Sequence, residues 1–136
     1  MDKIAFQITE DGSHTLYIEE LDETYHSKHG AIQEAMHVFI DAGLHHNEKP
    51  ALNILEIGFG TGLNAFLTLQ ESNDRLINYT SLEAYPLTDE IVGQLNYSQE
   101  LKLDQNENLK LEKMHQVEWG SYQEITPTFN LNKIEV

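Results

Sequence analysis

The sequence that decides the fold runs from Leu52 to Asn64 and reads Leu-Asn-Ile-Leu-Glu-Ile-Gly-Phe-Gly-Thr-Gly-Leu-Asn. Its apolar start predicts a buried strand over residues 52–57, and the pattern that follows predicts a helix over roughly 62–72. Glycine recurs between them at every second position, at Gly58, Gly60 and Gly62. Glycine allows backbone angles and close approaches that a Cβ would forbid. The stretch therefore predicts a strand, a turn that approaches a ligand closely, and a helix aimed at that ligand.

The spacing of these glycines excludes two common phosphate-binding motifs. The dinucleotide fingerprint has two residues between its second and third glycine, and the P-loop ends in Gly-Lys-Ser/Thr; neither occurs here. Glu56 lies two residues before the first glycine, where a carboxylate suits a ligand with a positive charge and a ribose. The helix opening, which includes Asn64, directs amides towards the ligand's carboxylate end and so suits an amino-acid moiety.

A second acid, Glu83, ends the next predicted strand, which begins at Leu76. In a doubly wound sheet, neighbouring parallel strands end at the same edge, where ligands bind. A carboxylate at this position accepts hydrogen bonds from both hydroxyls of a ribose. The alternative is that Glu83 is a solvated residue entering a loop. Its spacing from the glycine loop favours the ligand-binding interpretation.

The order of the other predicted elements indicates an α/β protein. Alternating residues 4–9 and 14–19 around an Asp-Gly pair predict an N-terminal β-hairpin, which we place in residues 1–24 as a separate element from the domain 25–136. The polar residues 22–29 are interpreted as a loop. Further predictions are a helix from Gly30, a helix capped by Thr88, a helix or broken helix over 98–117, and a strand over 129–136. This order predicts a Rossmann-like parallel sheet.

Composition limits the classes of partner. The 136 residues carry 23 acids and 8 bases, a net charge of −15, and no cysteine. Such a chain is poorly suited to neutralising phosphates or binding anionic membranes, and disulfides and thiolate metal sites are excluded. The sequence has no signal-peptide or membrane-span pattern, which predicts a cytoplasmic protein. Four histidines occur in close pairs, but in predicted loops, so we predict no metal site; they are His26, His29, His45 and His46.

Three segments together resemble the methyltransferase domain of the MnmC-like family. They are residues 25–40, which begin Tyr-His-Ser-Lys-His-Gly, the glycine loop 56–64, and Ser-Leu-Glu-Ala-Tyr-Pro-Leu at 81–87. The family transfers the last methyl group in making 5-methylaminomethyl-2-thiouridine at the wobble position of tRNA. The resemblance covers the chain from about Tyr25 to its end. It implies S-adenosylmethionine as cofactor and tRNA as partner, although the net charge disfavours tRNA.

The resemblance also implies which residues surround the cofactor. The cofactor-binding candidates are Tyr25, Glu56, Gly58, Phe59, Gly60, Gly62, Asn64 and Glu83. One feature of the family is missing: its sheet continues into a strand that ends in Asp-Ala-Phe, and this sequence contains no such tripeptide. The missing aspartate is the family's expected catalytic group, so no catalytic residue is assigned here. We therefore expect a truncated product that keeps the cofactor-binding part, or a cofactor-binding relic.

Two other functions stay open on the sequence alone. One is a methyltransferase of a small molecule, for which an acidic surface is no obstacle. The other is a non-catalytic cofactor-binding or interaction module. An incomplete sheet would leave an unpaired edge, and such an edge is a template for pairing with another chain. The sequence therefore predicts that the fragment is either poorly stable or completes its sheet by forming a homodimer through that edge or by swapping elements.

Overall fold

The computed structural model describes residues 4–18, 23–25 and 30–136 of the chain. Its N-terminal part is a small antiparallel sheet of β1 (Ile4–Ile8), β2 (His14–Ile18) and β3 (Glu23–Thr24), in that order. The predicted hairpin is confirmed. The interpretation of 22–29 as loop is wrong at residues 23 and 24, because backbone groups there pair with the second edge of β2. This pairing requires backbone amides and carbonyls, so apolar alternation gave no signal for it.

The hairpin turn caps the first helix. This helix, α1 (Ala31–Ala35), continues through a π-helical segment at Met36–Asp41, and a 3₁₀ turn follows at Leu44–His46. Its first free amides are satisfied by three side chains of the turn: Ala31 N donates to Thr9 Oγ1 at 3.1 Å, Ile32 N to Ser13 Oγ at 3.2 Å, and Gln33 N to Asp11 Oδ2 at 3.0 Å. Helix starts need such acceptors, so the hairpin is fixed to the rest of the protein through this helix.

The main sheet has the spatial order β4-β5-β7-β6. Its strands are β4 (Ala51–Ile57), β5 (Leu76–Glu83), β6 (Gln123–Thr126) and β7 (Phe129–Glu135). The first three in space run parallel, and β6 is antiparallel to β7. Helix α2 (Leu63–Gln70) joins β4 to β5, and α3 (Asp89–Gln94), α4 (Tyr97–Glu100) and α5 (Gln105–Gln116) lie between β5 and β6. The prediction of an α/β Rossmann-like sheet with an N-terminal hairpin is confirmed.

Local sequence signals explain the helix boundaries. Thr88 caps α3 as predicted, since its hydroxyl accepts a hydrogen bond from Ile91 N at 3.3 Å. Residues 98–117 form a broken helix, and Lys102, at φ 54°, lies at the break between α4 and α5. Strand β6 was not predicted. Only Ile125 in its four residues is a buried apolar side chain, so its alternation is too short to detect.

The core lies on one face of the main sheet. The strand register places Glu56, Ser81 and Lys133 in one row across this face, at the carboxyl ends of the three parallel strands. Nearer the start of the strands, the rows of apolar side chains on this face pack against the helices. Buried members include Ile77, Tyr79, Phe129 and Leu131 from the sheet and Ala35, Phe66 and Met114 from α1, α2 and α5.

The opposite face of the sheet is more open and partly polar. Leu55 and Ile57 on β4 are 65% and 76% exposed, so the prediction of a buried strand over 52–57 is wrong for this face. Three asparagines form a row across the parallel strands: Asn78 Nδ2 donates to Asn53 Oδ1 at 3.2 Å, and Asn130 Nδ2 donates to Asn78 Oδ1 at 3.1 Å. The sequence pattern therefore divides each strand between an apolar face and a mixed face, as period-two alternation requires.

The capping box of α5 gives a test of local stability. The Asp104 carboxylate accepts from Glu107 N at 2.8 Å, and the Glu107 carboxylate accepts from Asp104 N at 3.1 Å. We expect Asp104→Ala to lower the free energy of unfolding by about 1 kcal/mol, because an amide at the helix start loses its acceptor. Urea denaturation measures the change. Asp104→Asn is the matched control, since it keeps the acceptor and should cost much less; equal losses in both variants would contradict the capping role.

Candidate cofactor site

The loop between β4 and α2 has three glycines in left-handed backbone conformations. Their φ angles are 88° at Gly58, 55° at Gly60 and 78° at Gly62. Other residues rarely adopt these angles. Nothing in the described structure lies within 4 Å of a Cβ built on Gly58, so the loop is open at that point. The spacing of the glycines thus follows from the backbone path of the turn.

Hydrogen bonds hold this loop against the end of β5. The amide of Gly58 donates to the Leu82 carbonyl at 2.6 Å, and the amide of Gly60 donates to Glu83 Oε1 at 2.7 Å. The second oxygen of Glu83, Oε2, accepts from Tyr85 N at 3.1 Å. A carboxylate has about four lone-pair sites. Glu83 therefore keeps acceptor capacity for a ligand while it fixes the loop.

The side chain of Tyr25 packs against the same loop. A Cβ built on Gly60 would be 3.1 Å from Cδ2 of the Tyr25 ring, so the ring packs directly against the glycine backbone. Burial and, secondly, the charge of Glu83 raise the pKa of the Tyr25 hydroxyl. The phenol therefore keeps its proton near neutral pH and remains a hydrogen-bond donor beside Glu83.

Glu56 occupies the carboxyl end of β4 on the covered face. Its Oε1 accepts a hydrogen bond from Ser81 Oγ at 2.7 Å, directly across the strand register. Burial raises the pKa of the Glu56 carboxyl to about 7, although hydrogen bonds with Ser81, Tyr79 and Asn64 act in the opposite direction. The carboxylate consequently lacks full electrostatic compensation within the protein and favours a cationic neighbour.

Asn64 supplies a second acceptor beside Glu56. Its Oδ1 is buried and has no hydrogen-bond partner among the described residues. Glu56 and Asn64 border a cavity of about 400 Å³ that also contacts Leu55, Ile57 and Tyr79. A buried unpaired oxygen is costly. A carboxylate and a free amide oxygen beside one cavity fit the ammonium group of an amino-acid ligand.

Phe59 is placed differently from the other candidates. Its side chain is only 5% exposed and belongs to the core. The ring centroid lies 5.6 Å from that of His115 and 6.5 Å from that of Trp119, both in edge-on orientation. The structure brings Tyr25, Glu56, Asn64, Glu83 and the three glycines to one end of the sheet, whereas the Phe59 side chain packs on the core side of the loop.

Lys133 is a buried cation that the sequence prediction missed. It is 1% exposed, its Nζ donates to the His115 carbonyl at 2.9 Å, and the same atom lies 5.4 Å from the Phe59 ring centre and 4.9 Å from that of Trp119. Burial lowers the pKa of Lys133 to about 8. Alternation along β7 did carry a signal, because Lys133 has the same parity as the buried Phe129 and Leu131. Ser81 could be found in the same way from Ile77 and Tyr79.

Two other features of the structure concern metal binding and membranes. Within residues 4–18, 23–25 and 30–136, no cluster of three metal-ligating side chains occurs. His26 and His29 lie outside the described residues. His45 Nδ1 lies 3.3 Å from Asp41 Oδ1, and His45 Nε2 lies 3.8 Å from Glu71 Oε2. Among the helices of the described segments, none is long and apolar enough to cross a membrane.

The fold and loop together define a Rossmann-like α/β protein with a glycine loop and two acids at the carboxyl ends of parallel strands. No family model matches the chain. It is 33% identical over 123 residues to the tRNA 5-methylaminomethyl-2-thiouridine biosynthesis bifunctional protein MnmC of Leptospira interrogans. This match covers 82% of this chain and 18% of that protein. The MnmC protein of Marinomonas sp. is 36% identical over 83 residues, covering 51% of this chain and 12% of that protein.

The structural comparison extends over the whole chain. The crystal structure of MnmC2 from Aquifex aeolicus has a TM-score of 0.73 and 22% sequence identity, and the match covers 100% of this chain and 43% of that one. The resemblance to the MnmC-like family is therefore confirmed, and the chain is related to the MnmC proteins. It spans only 18% of the length of the Leptospira interrogans relative and 12% of the length of the Marinomonas relative.

Glu56 gives a pH-dependent test of the site. Since the pKa of its carboxyl is raised from 4.5 to about 7 in the folded protein, folding favours the protonated form. The stabilising contribution of the protonated Glu56 carboxyl is complete below pH 4.5 and is lost as the pH rises through 7. We expect Glu56→Gln to remove this loss, so that its stability relative to wild type rises by up to roughly 3 kcal/mol between pH 5 and pH 8.

Chemical denaturation at the two pH values measures this difference. Glu124→Gln is the control, because it removes an exposed carboxyl on β6, a strand that does not pair with β4. Parallel profiles for wild type and Glu56→Gln would show that burial does not disfavour the charged carboxylate.

Proposed function

We propose that this chain binds S-adenosylmethionine and is a methyltransferase domain that acts on an amine. The observation that carries the proposal is the 2.7 Å hydrogen bond between the Gly60 amide and Glu83 Oε1, within a loop of three left-handed glycines. It places an acid with free acceptor capacity beside a backbone that has no side-chain cover at Gly58. The relationship to the MnmC proteins supports the same cofactor.

Each candidate residue suits a different chemical group of the cofactor. Glu83 would accept hydrogen bonds from the ribose hydroxyls, and Tyr25 would border the same part of the loop. Glu56 and Asn64 would hold the ammonium group, because one is a carboxylate that lacks a cation and the other has a buried unpaired oxygen. The amino end of α2 follows Gly62 directly, and its amides favour the carboxylate.

The cofactor would supply a methyl group from its sulfonium for an in-line displacement by the acceptor. The protein's share of such a reaction is mainly positioning, which can lower a barrier by roughly 7–11 kcal/mol. An acceptor amine must be neutral in order to attack, so a nearby base would assist. Glu56 and Glu83 are both assigned to the cofactor here, and we assign no catalytic residue in this chain.

We propose a tRNA wobble uridine as the acceptor, on the basis of the names of the related proteins. A tRNA acceptor would place the protein in the cytoplasm. The net charge of −15 opposes this choice, since phosphate contacts need Lys and Arg. Lys133 is buried, and Arg75 donates to the carbonyls of Lys49 and Leu44. These observations support a second candidate acceptor, a small-molecule amine. Salt-dependent binding of tRNA would support the tRNA acceptor, and a lack of tRNA binding at low salt would support the small-molecule amine.

We also propose a homodimer through the free edge of β4. Within the described segments β4 pairs only with β5, and Leu55 and Ile57 on it are largely exposed. A two-fold axis through Ile54 would pair two copies of this strand in antiparallel register and keep the same face of both sheets on one side. A second copy would thus cover the unpaired backbone groups of the edge.

The cofactor assignment predicts the behaviour of Glu83 variants. We expect wild-type protein to bind S-adenosylhomocysteine and Glu83→Ala to bind it about 100-fold or more weakly, because two hydrogen bonds to a charged group are lost. Isothermal titration measures both affinities. Glu124→Ala, on the exposed side of β6, is the control and should bind like wild type. A folded wild-type chain that does not bind the ligand would refute the proposed function.

The dimer proposal is tested separately by sedimentation velocity. Wild type is expected to show a concentration-dependent dimer, and Ile57→Lys to sediment as a monomer. In this register residue 57 lies opposite Ala51 of the second copy, and a lysine on an edge strand opposes such pairing. Leu109→Lys is the matched control: Leu109 is an exposed apolar residue at 55% exposure on α5, far from β4 in the chain. A wild-type monomer at every concentration tested would refute the dimer.

A further inference from the structure

The side chain of Thr61 points away from the ligand face of the glycine loop and into the protein. Thr61 is 0% exposed although glycines precede and follow it. Its Oγ1 lies 3.1 Å from the hydroxyl oxygen of Tyr97, which is itself 1% exposed. A buried contact between α4 and the loop is therefore built through two hydroxyl groups.

The same tyrosine hydroxyl contacts the N-terminal sheet. Tyr97 Oη donates to the His14 carbonyl at 2.9 Å. A carbonyl can only accept, and a phenol has one proton, so Thr61 is the donor in the second bond. Burial raises the pKa of Tyr97 to about 12, which keeps that proton in place. Tyr97 thus joins β2 to the glycine loop through one oxygen atom.

The neighbouring residue strengthens the connection to the hairpin. Asn96 Oδ1 accepts from His14 N at 2.8 Å, and Asn96 Nδ2 donates to the Gly12 carbonyl at 2.9 Å. Together with the Tyr97 bond, these contacts fix the start of β2 at three backbone groups. The hairpin cannot shift relative to α4 without breaking them.

His115 restrains the loop from a second side. A Cβ on Gly62 would lie 3.0 Å from His115 Nε2, so the imidazole packs on the loop backbone. The ring also forms a hydrogen bond with the Thr61 backbone, and its centroid lies 5.6 Å from that of Phe59. The non-glycine residues of the loop, Phe59 and Thr61, are therefore both anchored in the interior.

We propose that Tyr97 is a positioning residue that holds the glycine loop in its ligand-binding conformation and couples it to the N-terminal hairpin. This inference rests on the proposed function, because the loop is the assigned cofactor site. Glycine has the largest conformational entropy to lose on ordering, and a loop that is already fixed binds a ligand at lower cost. The hairpin would thus contribute to cofactor affinity without touching the cofactor.

Hydrogen exchange in the free protein tests the positioning role directly. The amides of Gly58, Gly60 and Gly62 are all hydrogen-bonded, so their exchange requires the loop to open. We expect Tyr97→Phe, which removes only the hydroxyl, to speed exchange in residues 58–62 about tenfold. Ser72→Ala is the matched control: it also removes a buried hydroxyl, which donates to the Leu69 carbonyl at 2.8 Å, and should leave the loop unchanged.

Affinity for S-adenosylhomocysteine provides the second measurement. Tyr97→Phe and Thr61→Val should each weaken binding about tenfold, and the double variant should be no weaker than Tyr97→Phe, because Tyr97→Phe already removes the hydrogen bond that Thr61→Val removes. Additive losses would show that the two residues act separately and would overturn the coupling. A general loss of stability would weaken binding in Ser72→Ala as well.

The two proposals fail in different ways. If wild type does not bind S-adenosylhomocysteine, the proposed function fails, and the exchange experiment still decides the role of Tyr97. If wild type binds but the loop exchanges equally in wild type and Tyr97→Phe, the positioning inference is overturned and the cofactor assignment stands.

Discussion

The hydrogen bond from the Gly60 amide to Glu83 joins the two chain segments on which the candidate site depends. One end belongs to the turn after β4 and the other to the last residue of β5, and these are adjacent parallel strands. The bond requires a left-handed backbone at Gly60, with a φ of 55°, and space for the Tyr25 ring, which a Cβ would approach to 3.1 Å. A single constraint on the backbone thus brings together an acid, an aromatic ring and an open amide-rich turn.

An element of this fold could be predicted when its sequence pattern is local, and was missed when tertiary or backbone pairing defines it. Strands β4 and β5, helix α2 and the hairpin could be predicted because their alternation, glycine spacing and turn residues are local in sequence. Strand β3 at Glu23–Thr24 was predicted as loop, because a two-residue strand is defined by backbone pairing and has no side-chain pattern of its own. Strand β6 was missed for the related reason that Ile125 is its only buried apolar residue.

The site residues divide in the same way, into those indicated by local spacing and those brought together only by tertiary packing. Glu56, Asn64, Glu83 and the glycines could be selected from spacing because a tight turn at the end of a parallel strand limits which positions reach a ligand. Tyr25 came from a family resemblance and lies on Gly60 in the structure. Tyr97 and His115 gave no local signal, since they lie 36 and 54 residues from Thr61 in the chain and meet it only through tertiary packing. Phe59 shows the limit of motif reasoning, because its place in the motif does not reveal which way its side chain points.

The asparagine row on the open face of the sheet has a consequence for the uniqueness of the fold. A strand that slips by one residue exchanges its two faces. A slip of β4, β5 or β7 would carry Asn53, Asn78 or Asn130 into the apolar core and expose the apolar residues that pack there. Each buried amide without a partner would cost roughly 1–3 kcal/mol. The hydrogen-bonded amides therefore act as register marks along three parallel strands, and misaligned sheets are rejected by the cost of burying them as well as by the loss of native contacts.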